Sequence, residues 1–150
     1  MNIYGFIVLI HIISAVCGLG AAFALPVLMK KPETVTQAKF AFTVNSGIEK
    51  IVKVGSITLL VTGLILGALN PSLFTQVWYI VSIVIFLMVQ PVVAIILPKK
   101  LAELEKVLNS LNGEQLPDSY FQISKQMAPY NGFTHLAAIV LIILMVLKPF

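Results

Sequence analysis

The sequence predicts an all-α fold: a bundle of four transmembrane helices, with a short cytoplasmic amphipathic helix between the third and the fourth. Three observations carry that prediction. Apolar runs at about 3–29, 51–69, 77–97 and 128–147 are long enough, or nearly so, to cross a hydrocarbon core of about 30 Å at ~1.5 Å per residue. The chain is 59% hydrophobic and 11% charged, with a mean hydropathy of +0.99, whereas about a quarter of the residues in a soluble domain are charged. Eight of the ten lysines fall in the gaps after the first and third runs and a ninth, Lys53, sits at the mouth of the second, as loops flanking a bilayer would place them. A single integral membrane domain over 1–150 is expected.

Only Met1 and Asn2 precede the first run, and no lysine comes before Lys30. A cleaved signal would carry a basic start and a shorter apolar core, so a retained first helix is expected. In the loop 30–50, Pro32 and Glu33 read as a first helical turn. The segment after them stays helix-compatible, broken at Asn45-Ser46-Gly47, so helix two should project beyond the bilayer. The connection Asn70-Pro71-Ser72-Leu73-Phe74-Thr75 is short, which makes helices two and three antiparallel neighbours. Trp78, Tyr79 and Tyr4 suit an interfacial aromatic belt. In the loop 98–127, Leu101, Leu104, Leu108 and Leu111 recur at helical spacing before Gly113 and Pro117 mark a stop. This is the amphipathic helix, expected along the inner membrane surface. Pro91 and Pro129 predict kinks.

The loops after helices one and three open on one side, and that side holds Lys30, Lys31, Lys39, Lys50, Lys53, Lys99, Lys100, Lys106 and Lys125. By the positive-inside rule it is cytoplasmic, and both termini are extracytoplasmic. The net charge of +4 is therefore topological. With no aromatic-basic platform or recognition helix, nucleic acid is excluded as a partner. The lipid bilayer is the expected partner, with a homo-oligomer or a membrane partner protein as further alternatives.

At 100° per residue, Tyr4, His11, Ala15, Gly18 and Ala22 share a stripe of helix one, and Ser56, Gly63 and Gly67 share one on helix two. Such faces let backbones approach closely in lipid. Gly55, Thr58 and Thr62 form a second seam, which places helix two between two others.

Two histidines fall within the apolar runs, and ionisable groups there are functional hypotheses by default. His11 lies ~12 Å below the outer boundary and His135 ~10 Å above the inner one. This difference of depth disfavours a haem held by both. The chain also has no arginine for the propionates. A packing role is expected for His11, facing helix two or three, with Thr62 or Ser82 as its polar partner. A polar pocket opening to the cytoplasm is expected from Lys53, Gln90, Asn131 and His135: Gln90 and His135 both lie ~10 Å from the inner ends, Asn131 precedes His135 by one turn on the same face, and Lys53 can reach them or snorkel outward. Catalysis finds no support: all six acids lie outside the apolar runs, and neither a Ser/His/Asp set nor HExxH is present. Cys17 is the only cysteine, which excludes an intrachain disulfide and a cysteine zinc cluster. Exporters that need a carboxylate in the first helix are also excluded.

The run His11-Ile12-Ile13-Ser14-Ala15-Val16-Cys17-Gly18-Leu19-Gly20, the turn Asn70 to Tyr79, and the end Leu147-Lys148-Pro149-Phe150 resemble the bacterial integral membrane family called domain of unknown function 2269. The resemblance covers essentially the whole chain. It implies a four-helix protein of the bacterial plasma membrane and assigns no activity. More distantly, a histidine early in helix one followed by small residues is similar to copper-resistance D-type proteins and to the J-type protoporphyrinogen oxidase, which are haem-linked. Only His11 carries over to that pattern, so the haem inference is an analogy of fold. Two readings of function follow. The first is a non-enzymatic accessory or small-molecule-binding membrane component. The alternative is a haem- or quinone-binding redox protein using His11, with haem b as its cofactor.

Overall fold

The computed structural model describes residues 2–149. Helix α1 (Ile3–Ala15) begins where Asn2 Oδ1 accepts the amide of Gly5 at 2.8 Å, which occupies one of the donors every helix start leaves free. A π turn over Val16–Gly20 follows, then α2 (Ala24–Lys30), and together they make the first span. Helix α3 (Val35–Leu69) is the second. Its 35 residues extend ~52 Å, against ~30 Å of hydrocarbon, so it projects well beyond one bilayer face. The break expected at Asn45-Ser46-Gly47 is absent. Asn45 Nδ2 instead donates along the helix to Glu49 Oε1 at 3.1 Å, and Gly47 continues the helix with open space around it.

A short 3₁₀ turn, Pro71–Thr75, leads to α4 (Val77–Pro91). Pro91 has no amide to give its own turn, and the backbone widens at once into a second π turn, Val92–Ile96. Helix α5 (Leu97–Asn109) runs on from it, so the third span is continuous over Val77–Asn109. The leucine-patterned segment is thus an extension of helix three and is not set apart as a separate short helix. Its Leu104 and Leu108 are buried. Helix α6 (Asp118–Leu147) starts ten residues before the apolar run and passes through Pro129 without interruption.

The first span packs along α3, while α4 and α5 pack on α6. Two cores result. Leu59, Phe86 and Leu141, with Ala15 and Leu19 against them, join all four spans within the bilayer. Val35, Ala38, Leu104, Leu108, Tyr120 and Met127 form a second core from the extensions of spans two, three and four. Exposed apolar side chains such as Val16, Val54, Ile57, Leu136 and Val146 face outward, where lipid replaces water as their solvent.

The two loops at the lysine-rich end are clasped together. Thr34 and Gln115 form an isolated antiparallel bridge, and the Val35 amide donates to Glu114 O at 3.0 Å. The Glu114 carboxylate accepts the Thr36 hydroxyl at 2.7 Å and the Thr36 amide at 3.2 Å. These bonds favour its charged form and hold its pKa below the ordinary value. At the opposite end, Lys148 adopts the left-handed conformation that closes α6. Its Nζ lies 5.7 Å from the centre of the Trp78 ring, within reach of a cation–π attraction.

Candidate functional site

Between the two cores, at the lysine-rich end, the four spans leave a cavity of ≈ 70 Å³. Leu25, Met29, Val52, Val93, Leu101 and Met127 make most of its wall, and Lys30, Asn45, Glu49, Lys53, Ser124 and Asn131 supply its polar groups. Asn45, Glu49 and Lys53 lie one turn apart on a single face of α3, where residues four apart are neighbours. Asn45 is 4% exposed and donates to Glu49. Lys53 Nζ stands 3.9 Å from the other Glu49 oxygen, with its side chain 62% exposed. The carboxylate is therefore steered by a buried amide on one side and a solvated ammonium on the other. A second, more open and more polar groove of ≈ 620 Å³ runs between α3 and α5, lined by Lys39, Thr43, Ser46 and Glu105 among others. It shares Asn45, Glu49, Pro98 and Leu101 with the cavity, so the Asn45–Glu49 pair stands in the wall between them.

Of the pocket residues expected from sequence, Lys53 and Asn131 meet at this cavity. Gln90 and His135 do not line it. His135 stacks on Phe23, ring centres 4.5 Å apart. Depth along a helix does not fix the direction in which a side chain points. Glu49 and Asn45 were missed. Their signal was the Asn45, Glu49, Lys53 spacing of four, hidden because Asn45-Ser46-Gly47 reads as a break.

His11 Nδ1 lies 2.8 Å from Thr62 Oγ1. The Thr62 hydroxyl donates to Thr58 O at 2.7 Å, which leaves its oxygen free to accept from the Nδ1–H tautomer of the His11 imidazole. His11 and His135 thus contact different partners. Among the described residues, no three His, Cys, Asp or Glu side chains gather where they could hold a metal ion.

The small-residue faces are used in two ways. A Cβ on Gly55 would stand 2.5 Å from Gly18 N, and one on Gly18 would stand 2.8 Å from Ser56 N. Here two backbones meet, and only glycine fits. Gly63 and Gly67 instead admit side chains. His11 Cε1 lies 3.3 Å from where a Gly63 Cβ would be, and the Tyr79 hydroxyl and Phe74 ring fill the space beside Gly67. Tyr79 Oη donates to Gly63 O at 2.9 Å, fastening α4 to α3. The close crossing on helix two therefore pairs Ser56 with Gly55 of the second seam, and Gly63 and Gly67 belong to a slot for rings. Ala15 and Ala22 are half-buried, and Ala15 packs against the intramembrane core.

Four apolar helices of spanning length, closed around such a cavity, define a multi-pass integral membrane protein. The family described as a predicted integral membrane protein, domain of unknown function 2269 (DUF2269), matches residues 6–149, and the chain belongs to that family. No curated protein and no solved structure matches the chain.

Proposed function

We propose that the protein is a non-enzymatic component of the bacterial plasma membrane that holds a small molecule in the cavity at its lysine-rich end. The observation that carries this reading is the cavity itself, an apolar recess bounded by all four spans with a few convergent polar groups at its rim. Ligand sites combine apolar walls and a few polar groups in this way, and at ≈ 70 Å³, against ~300–1,000 Å³ for a pocket that encloses a drug-sized molecule, the recess takes only part of its ligand. The lysine distribution supports a cytoplasmic position for that end, with both termini outside. Extraction of the purified protein into organic solvent, followed by mass spectrometry, tests the reading. A co-purifying small molecule should be present in the native chain and lost from Val52→Trp, whose indole would occupy the recess. Retention of the same molecule by that variant would refute the assignment of the site.

One observation favours a second reading, the haem- or quinone-binding redox protein. With Nδ1 donating to Thr62, His11 Nε2 is the unprotonated nitrogen that can ligate haem iron or accept from a quinol. It would be one ligand only, since His135 is engaged with Phe23. A Soret band from haem-replete expression, abolished by His11→Ala, would establish this reading in place of the first.

A further inference from the structure

We infer that the cavity takes an anionic amphiphile, with the end of a hydrocarbon chain in the recess and a carboxylate or phosphate head between Lys30 and Lys53. This rests on the cavity being the binding site, and it adds the chemistry of the occupant.

The recess argues for the chain. Its ≈ 70 Å³ is several times the ~10–15 Å³ that one water needs, but a buried water also requires two to four polar partners. Leu25, Met29, Val52, Val93 and Met127 form an apolar part of the wall that offers water no such partners and suits hydrocarbon, while the polar groups of the lining are left for the head.

The rim argues for the sign of the head. Lys30 comes from α2 and Lys53 from α3, so two lysines from different helices belong to the lining of one cavity. Glu49 is the single acid of the lining, and it is engaged by Asn45 at 3.1 Å and Lys53 at 3.9 Å. The Lys53 pair is long and solvated, and such pairs are weak. Lys30 has no acid within 4.0 Å among the described residues. The rim thus carries one more positive charge than negative. Ser124 and Asn131 of α6 add a hydroxyl and an amide that can donate to an anionic head. A cationic head would face both lysines, and a neutral one would leave Lys30 without a counter-charge.

The test uses the full chain in a neutral detergent, titrated with probes that share one oleoyl chain: oleate, oleoyl lysophosphatidate, oleoyl lysophosphatidylcholine and oleyltrimethylammonium. Inorganic phosphate serves as the head without a chain. Native mass spectrometry reads occupancy. Oleate or lysophosphatidate should bind about tenfold more tightly than the other two chains, and the stronger of the pair identifies the head as carboxylate or phosphate. Lys30→Gln and Lys53→Gln should each weaken that probe by about threefold to fivefold. Lys31→Gln and Lys50→Gln, on the same side but outside the lining, should leave it unchanged. Val52→Trp, or Met127→Trp from the opposite wall should the first fail to fold, should abolish binding of every chain. Equal or tighter binding of the zwitterionic or cationic probe overturns the inference and leaves the cavity as a binding site. Binding of phosphate alone as tightly as lysophosphatidate overturns it as well. If no probe binds, or if folded Trp variants bind as well as the native chain, both the inference and the site beneath it fall.

Discussion

Gly55→Ala should destabilise the protein while Gly47→Ala stabilises it, although both glycines lie within the same helix. A Cβ on Gly55 would stand 2.5 Å from Gly18 N and 2.9 Å from both Gly18 Cα and Cys17 C. These are backbone atoms, so no rotamer can move them aside. The first span and α3 would have to separate by ~1 Å to restore ordinary contact near ~3.5 Å. Overpacking of this kind costs ~1–3 kcal/mol, and alanine recovers ~1 kcal/mol of it through helix propensity. The expected net loss is ~0–2 kcal/mol. At Gly47 nothing lies within 4 Å of the new methyl, and only the gain of ~0.5–1 kcal/mol applies. Reversible unfolding in mixed micelles, followed by circular dichroism against SDS mole fraction, measures both. The two variants should therefore differ by ~1–3 kcal/mol. Equal stability would show that the backbones do not meet there. Gly18→Ala probes the other side of the crossing, and the double variant should cost less than the sum, because a separation made once serves both methyls.

Three further outcomes are expected. Tyr120→Phe should raise stability by ~1 kcal/mol or more, because the buried Tyr120 hydroxyl has no hydrogen-bond partner and such a group costs ~1–3 kcal/mol; a loss of similar size in the same unfolding assay would mean the hydroxyl is satisfied. Thr62→Val should cost ~1–3 kcal/mol by leaving His11 Nδ1–H without its acceptor, whereas Thr62→Ser should retain most of that stability, and equal effects of the two would remove the bond from the account. The clasp at Glu114 should depend on pH: its folded pKa lies below the ordinary 4.5, so its contribution is full above that value and fades as pH falls through the lower folded one. Hydrogen exchange at the Val35 and Thr36 amides should accelerate in that acid window, beyond the intrinsic trend, in the native chain and not in Glu114→Gln; identical profiles would show that the carboxylate is not the latch.

The spans, their order and the lysine-rich side were legible because they depend on local composition, which a chain carries residue by residue. Relative depth also narrowed the partner of His11 to Thr62 or Ser82; it is Thr62 that His11 meets, while the Ser82 hydroxyl donates to Trp78 O. Direction around the helix axis was not legible. The 100° count along helix one loses its register at the π turn Val16–Gly20, which takes more residues per turn than the α-helix assumed. Helix two was expected to offer Gly63 and Gly67 to a neighbouring backbone, but a glycine leaves the same vacancy for a ring as for a helix, and the partner decides which enters. Asn45 and Glu49 looked like loop residues outside the apolar run. Their neighbours come from α2 and from α5, the latter some fifty positions later in the chain, and no local pattern announces them.

The clasp also sets an order of assembly. Thr34 and Val35 close onto Glu114 and Gln115, residues that leave the ribosome ~80 positions later, or about 4–16 s at ~5–20 residues per second. Until the third span follows, the first hairpin has only its own contacts to rely on, the Gly18–Gly55 crossing among them. The latch can close only once the third span has been delivered to the membrane. A substitution that weakens the crossing would therefore act on the nascent chain before any other helix could compensate. Such a variant would be more exposed to membrane proteolysis in the cell than its equilibrium stability in detergent suggests.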